Sequence, residues 1–337
     1  MKIVKGVFTY ILILLGILLA AGILLFTSMA FLKFEVFGLN VIMHNDKYDW
    51  SSVIGPDTWT GEIKNVYINS NGYDVVVRPW TEKVHEGNDF AAVYVTDNGF
   101  GLSTNGVKNA ILKVSYKNNY EDVDFITTKD EQKDADTIIF DLSTPEGLIS
   151  YKNSKIEVVL PWSSGFNYNL HITSGKGDIN IIPATNPDDG LEELGNLPLN
   201  SLYLTTDKGN VTVRGLAEED EKVVLQELIL KTNTGKFDLS DQNIKSNDKV
   251  KINSKRGDFT FKNIEGEFII KGDNLVLDAR DIITNDKQFS YNCPNGTIKM
   301  DTLDVGTSVA FIVTEYAKIE IGLVKGDTSI EATYGDT

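Results

Sequence analysis

The side chains able to do chemistry are few and scattered. The 337-residue chain holds three histidines, His44, His85 and His171, and one cysteine, Cys293. A zinc site needs three or four convergent ligands. These histidines are far apart, and His171 sits between two apolar positions of an alternating run, which turns it outward. A lone cysteine excludes an internal disulfide and multi-cysteine zinc. No GxSxG, HExxH, phosphate-loop or dinucleotide fingerprint occurs. Two acidic stretches could offer oxygens to calcium: Asp188, Asp189, Glu192 and Glu193, and then Glu218, Glu219, Asp220 and Glu221. Calcium takes six or more oxygens, commonly from alternate loop positions, and neither stretch has that spacing, so both read as solvated loops. The remaining carboxylates are dispersed, whereas glycan cleavage needs them gathered on one exposed face. We therefore expect no catalytic, cofactor-binding or metal-binding residues, and no cofactor.

The polar groups that do recur lie at turns: KGDIN from Lys176, KGNVT from Lys208 and RGDFT from Arg256. Arg256-Gly257-Asp258 spells the integrin tripeptide, but the repeat supplies a basic residue, Gly and an acid or amide there on structural grounds. Solvated turn residues are the plain reading. These turns anchor copies of one pattern across Leu170–Ile321. With Gly177, Gly209, Gly235, Gly257 and Gly296 as anchors, Leu170, Leu202, Leu228, Val250 and Phe289 lie seven residues before. Five before lie Ile172, Leu204, Leu230, Ile252 and Tyr291. Two after lie Ile179, Val211, Phe237, Phe259 and Ile298, and four after Ile181, Val213, Leu239, Phe261 and Met300. All are apolar. Weaker copies fit with Tyr73, Leu275 and Ala317 as anchors, and the spacings from Gly177 onward are 32, 26, 22, 18, 21 and 21. A base period of about 20 residues is the range of stacked solenoid repeats.

Alternation of period two puts the four columns on one face of each strand. One copy cannot cover that face, and stacking copies about 4.8 Å apart does. The anchor glycine answers either a positive φ or a close backbone approach. The place three before each anchor is always small: Ser70, Ser174, Thr206, Thr232, Ser254, Gly272, Cys293 and Thr314. This predicts a tight inward corner, with Cys293 a packing residue. Replacing Ser254 or Thr232 with Leu should overpack it. Replacing Asp258 or Asn210, just past the turn, should matter far less. The long spacings carry inserts at 184–196 and 216–223, expected to emerge on one edge of the stack.

Residues 7–32 contain no charge. As a helix they would be about 39 Å long, enough for a hydrocarbon core of about 30 Å. Lys2 and Lys5 precede the run, which predicts a cytoplasmic N-terminus and an extracytoplasmic remainder. A cleaved signal peptide ending near Ser28-Met29-Ala30 is the competing reading; signal cores of about 7–15 residues are shorter than this run. Gly16 and Ala20 form a small-xxx-small pair. The net charge is -16, and residues 33–337 carry 30 basic and 48 acidic residues, 30 - 48 = -18. Such a surface repels nucleic acid and anionic lipid. The organisation expected is a cytoplasmic 1–6, a transmembrane signal anchor 7–32, a stalk 33–62, a β-rich first half 63–165 that is largely off the pattern, and a repeat-built half 166–337. The fold class is all-β, a β-solenoid or β-helix-like stack behind one transmembrane helix.

The anchor, the β-rich first half, the IEVVLP strand (156–161) and the L-x-I-x-S/T-x-x-G-D/N-I/V-x-I copies together resemble the bacterial putative-adhesin domain family of unknown function. The resemblance covers about 63–321, best over 156–261. It implies an all-β, repeat-built extracytoplasmic domain and carries over no catalytic residue. Two functions follow as expectations. One is a non-catalytic surface binding or scaffold module, contacting wall polymer or a surface protein. The other is an accessory of envelope-stress sensing whose helix pairs with a membrane signalling partner. A carbohydrate-active β-helix enzyme is the third and weakest reading.

Overall fold

The structure is a computed structural model. It describes residues 14–20, 23, 35–36, 39–49, 64–79, 92–103, 111–117, 136–143, 149–152, 154–160, 167–183, 197–216 and 221–336. Among the described residues seventeen strands are assigned. The first eight are β1 (Glu35–Val36), β2 (Leu39–Asp49), β3 (Asn65–Ser70), β4 (Asp74–Pro79), β5 (Ala92–Ser103), β6 (Ile111–Lys117), β7 (Thr137–Ser143) and β8 (Ile149–Lys152). Then come β9 (Lys155–Leu160), β10 (Tyr168–Ser174), β11 (Ile179–Ile181), β12 (Leu199–Thr206), β13 (Val211–Val213) and β14 (Lys222–Leu225). The last three are β15 (Glu227–Ile283), β16 (Phe289–Asn292) and β17 (Asn295–Asp336).

The chain divides into two compact units. The smaller takes residues 1–47, 96–110 and 145–154. Its described strands pair antiparallel: β1 on β2, with Val36 opposite Leu39, and the end of β5 on β8, with Phe100 opposite Tyr151. The segment 33–62, expected as a stalk, thus contains strands β1 and β2. Residues 14–20 and 23 are helical. Among the described residues no helix is long and apolar enough to cross a membrane, and most of the expected span 7–32 lies outside them.

The larger unit is a parallel stack. Along one ladder, β7, β3, β10, β12 and the start of β15 lie side by side in that order, with Ile138, Val66, Leu170, Leu202 and Leu228 in register. A second ladder runs β9, β4, β11, β13 and β15, aligning Ile156, Val75, Ile179, Val211 and Phe237. As one straight strand β15 would be about 190 Å long. It winds instead: the Asp248 N–H donates to Gln226 O at 2.8 Å, and Phe237 and Phe259 stack with centroids 4.9 Å apart. Later coils continue as Phe268, Phe289 and Ala310 in one column and Leu277 and Ile298 in the other. The columns at seven and five before the anchor are buried throughout, from Ile138 and Phe140 to Ala310 and Ile312. Each fully buried aliphatic or phenyl side chain contributes about 1.5–3 kcal/mol.

Two features depart from the sequence reading. The first is order. The strands β7 and β9, in the stretch taken as off-pattern, form a further coil that stacks on β3 and β4, outside the first recognised copy. Its anchor place holds Ser154, and residues 144–153 interrupt its turn, so no contiguous copy of the pattern exists to be seen. The antiparallel strand β6 then lies on β7, with Val114 opposite Phe140. The second is a third side to the coils. Strand β14 runs parallel to residues 243–246 of β15, and Asp281–Ile283 runs parallel to Thr302–Asp304. Its inward residues Val223, Ile244, Ile264, Ile282 and Leu303 are buried, Val223 in register with Ile244 and Ile282 with Leu303. The stretch 216–223 is therefore not wholly an insert: Leu216 and Val223 are core, and 217–220 and 184–196 lie outside the described residues. Ile264, Ile282 and Leu303 each fall seven residues after their anchors, and the longer turns before Val223 and Ile244 bring those two into the same side.

Candidate functional site: the turn edge

The turn edge is built by three repeated contacts. The small corner residue closes each turn with its side chain. Ser174 Oγ donates to Gly177 O at 2.7 Å, Ser70 Oγ to Tyr73 O at 2.8 Å, and the Gly209 N–H donates to Thr206 Oγ1 at 2.7 Å. Such short hydroxyl-to-backbone bonds are the local chemistry that favours Ser and Thr at turns. Cys293 takes the same place: it is fully buried and its thiol donates to Asn295 O at 2.9 Å, while burial pushes the thiol up. In the recognised copies the corner is thus small and, where it carries a hydroxyl or thiol, hydrogen-bonding, except at Thr232 and Ser254, whose buried hydroxyls have no partner; the β7–β9 coil has Leu142 there.

The anchor glycines serve close approach. A Cβ on Gly209 would fall deep inside the van der Waals radius of Gly177 O, and one on Gly235 would strike Gly209 O. Neither has a positive φ; the positive-φ glycines are Gly72, Gly215, Gly266, Gly306 and Gly326. The residue after the anchor then bonds coil to coil. The Asp178 N–H donates to Asp74 Oδ1 (2.9 Å), the Asn210 N–H to Asp178 Oδ1 (2.7 Å), and the Lys236 N–H to Asn210 Oδ1 (3.3 Å). Asn210 is therefore a ladder residue, a part that its exposed place past the turn concealed.

These contacts set the basic residues of successive turns side by side. Lys208, Asn210, Thr234, Gly235, Lys236, Arg256, Gly257, Asp258 and Asn274 line an open groove of about 320 Å³. Lys236 Nζ stands 3.8 Å from Asp258 Oδ2. The Arg256-Gly257-Asp258 tripeptide is part of this groove. The groove holds three cations, two side-chain amides, one hydroxyl and one carboxylate. That set can hold an anion and hydroxyls, and it contains neither a nucleophile–base pair nor two facing carboxylates. The sequence reading had each turn residue solvated singly; the recurrence of a basic residue before or after the glycine was the available signal.

The remaining candidates fall elsewhere. His171 stacks between Tyr67 (centroids 4.2 Å) and Tyr203 (4.0 Å) on the outer face. Its ring faces are occupied by tyrosines, and burial lowers it to about 4. Tyr203 Oη donates to Glu227, which also takes Lys251 Nζ at 2.9 Å. Next to this stack runs an amide ladder, Asn200 to Asn169 and Asn169 to Asn65, each 2.8 Å. Among the described residues no group of three or more His, Cys, Asp or Glu is placed to hold a metal ion. His85 and the acidic residues 188–193 and 218–220 lie outside the described residues, as does the side chain of His44.

The stack of parallel coils lies within residues 63–336, which the Toastrack DUF4097 profile matches. The chain belongs to the Toastrack DUF4097 family. The match spans both the off-pattern stretch and the regular copies, as the ladders do. Two solved structures are similar to this Toastrack chain. One is a putative cell adhesion protein from Clostridium sporogenes, 8% identical, aligned over 76% of this chain and 99% of its own, with a TM-score of 0.34. The other is a putative adhesin from Bacteroides fragilis, 11% identical, over 86% and 97%, with a TM-score of 0.35. No curated protein matches.

Proposed function

We propose that this Toastrack chain is a non-catalytic, membrane-anchored extracytoplasmic module whose rigid stack presents a binding or scaffold surface. The observation that carries this reading is the turn-edge groove, preformed across four successive coils and furnished with binding groups alone. The uncharged run 7–32 supplies the anchor, and the flanking Lys2 and Lys5 set its orientation. The ligands are a wall polymer or a surface protein. Protease added to intact cells that carry the full chain should degrade residues beyond 33 and spare a tag on the N-terminus. A fully protected chain would remove the extracytoplasmic reading. Cells carrying the chain should also retain wall polymer or neighbouring cells better than cells without it.

An accessory part in envelope-stress sensing is the second reading. The observation favouring it is in the helical residues 14–20, where a Cβ added to Gly16 would meet nothing within 4 Å. Gly16 and Ala20 would let a second helix approach closely. Exchanging 7–32 for an unrelated apolar span separates the two: surface binding should survive, and helix-borne signalling should not. Product release from wall or host polysaccharide would overturn the non-catalytic reading.

A further inference from the structure

We propose that the turn-edge groove binds a linear anionic glycan, holding its carboxylates or phosphodiesters with Lys208, Lys236 and Arg256. The proposal rests on the surface-binding reading above and names its ligand class.

The argument starts from how cations are used in a chain with 32 basic and 48 acidic residues. Several on the stack sit in ion pairs. Arg78 pairs with Glu157 at 2.7 Å and Lys251 with Glu227 at 2.9 Å. Arg214 pairs with Asp238 and Asp241, and Lys222 with Glu265. In the groove three cations from successive coils converge instead. Among the described residues, Lys208 and Arg256 have no ion-pair partner, and Lys236 has only the loose contact with Asp258. Asp258 is the one acid among the lining residues; Asp178 and Asp207 lie outside the lining, accepting the Asn210 N–H and the Asn233 amide, and keep their charge. With acids in excess, adjacent cations left unpaired in one groove form a local positive site in a negative field.

The lining decides what kind of anion fits. None of the nine lining residues is aliphatic or aromatic. A peptide would find no pocket for an anchor side chain, and single-stranded nucleic acid no ring to stack on. Asn274, Thr234 and the amide N–H groups of Asn210 suit sugar hydroxyls instead. Successive coils are about 4.8 Å apart, so the turns of Lys208 and Arg256 are about 10 Å apart along the stack. A polymer lying along that axis would meet one cation per coil. Exposed ion pairs are weak singly and screened by salt, so affinity comes from several acting together.

The test uses the full chain in nanodiscs of neutral lipid. The probes are fluorescent polygalacturonate, poly(N-acetylglucosamine 1-phosphate), neutral dextran and a single-stranded oligonucleotide, titrated at 50 and 300 mM salt. At least one anionic glycan should bind, dextran should not, and the higher salt should weaken binding at least fivefold. The K208E/K236E/R256E variant should lose at least tenfold. K231E/K271E/K299E changes the net charge equally at exposed positions off the groove and should lose less than threefold. If the first variant folds poorly, K208Q/R256Q should still lose at least fivefold with an unchanged Tm. No binding of either anionic glycan, equal losses in both triple variants, or tighter binding of the oligonucleotide would overturn the proposal. If cells bearing K208E/K236E/R256E retain their surface binding, the inference falls while the surface-binding reading stands.

Discussion

Ser174 and Ser254 occupy the same corner place in different coils and should respond oppositely to the same change. The Ser174 hydroxyl donates to Gly177 O, whereas the Ser254 hydroxyl is buried without a partner. A made hydrogen bond contributes about 1 kcal/mol, and a buried unmade one is costly. Ser174→Ala should lower the denaturation midpoint by the equivalent of about 1 kcal/mol, and Ser254→Ala should leave it unchanged or raise it. Ser254→Leu should be strongly destabilising, by about 1–3 kcal/mol, through overpacking. His171 gives a pH signature. Its folded value is lowered to about 4 by burial. The unfolded chain takes up a proton as pH falls through about 6.5, the folded chain only near 4. Its contribution to stability is therefore complete above 6.5 and lost as pH falls towards 4. The full difference would be about 3 kcal/mol; partial exposure, and the attraction of two tyrosine faces for an imidazolium at about 0.5–1 kcal/mol each, reduce it to about 1 kcal/mol. Urea melts at pH 6.8 and 5.2 should show this loss in the native chain and a smaller one in His171→Phe.

At the scale of the coil, the anchor glycine controls whether neighbours can stack. Gly209→Ala places a methyl against the Gly177 carbonyl, a backbone atom that moves only if the ladder moves with it. The cost should exceed 2 kcal/mol. Ala at Gly16, which has open space, should leave the stability of the stack unchanged. The comparison by thermal melting separates close approach from helix propensity. The coil also shows which parts of the fold were legible. The four apolar columns, the small corner and the glycine repeat within a fixed distance of one turn, so period-two spacing exposes them. The third side does so only in part. Ile264, Ile282 and Leu303 each lie seven residues after their anchors Gly257, Leu275 and Gly296, whereas Ile244 lies nine after Gly235 and Val223 fourteen after Gly209, so longer turns break the spacing there although the structure buries them all.

At the scale of the stack, the two ends differ. One carries the coil of β7 and β9, with β6 paired antiparallel on β7. At the other, residues 322–333 are exposed or half-exposed throughout, including Leu323 at 50% and Ile330 at 43%. Solenoids are held by nearest-neighbour contacts, and a coil with one neighbour opens most easily. Hydrogen exchange of the full chain should therefore be fastest, among stack strands, in peptides from 322–333, and slowest around 202–270. Equal protection along the stack would mean that the unit unfolds as one block.

Composition, the uncharged 7–32 run and the apolar columns were sufficient to specify an all-β stack, because alternation and a period near 20 residues are local properties of the chain. Whether each anchor glycine served φ or contact, which coil lies outermost and which cations share a groove were decided only by the tertiary structure. Those are relations between residues 20 to 104 positions apart: β3 meets β10 across 104 residues, and Lys208 and Arg256 line one groove from turns two coils apart. Their register depends on how every intervening insert is accommodated, and no local pattern encodes that.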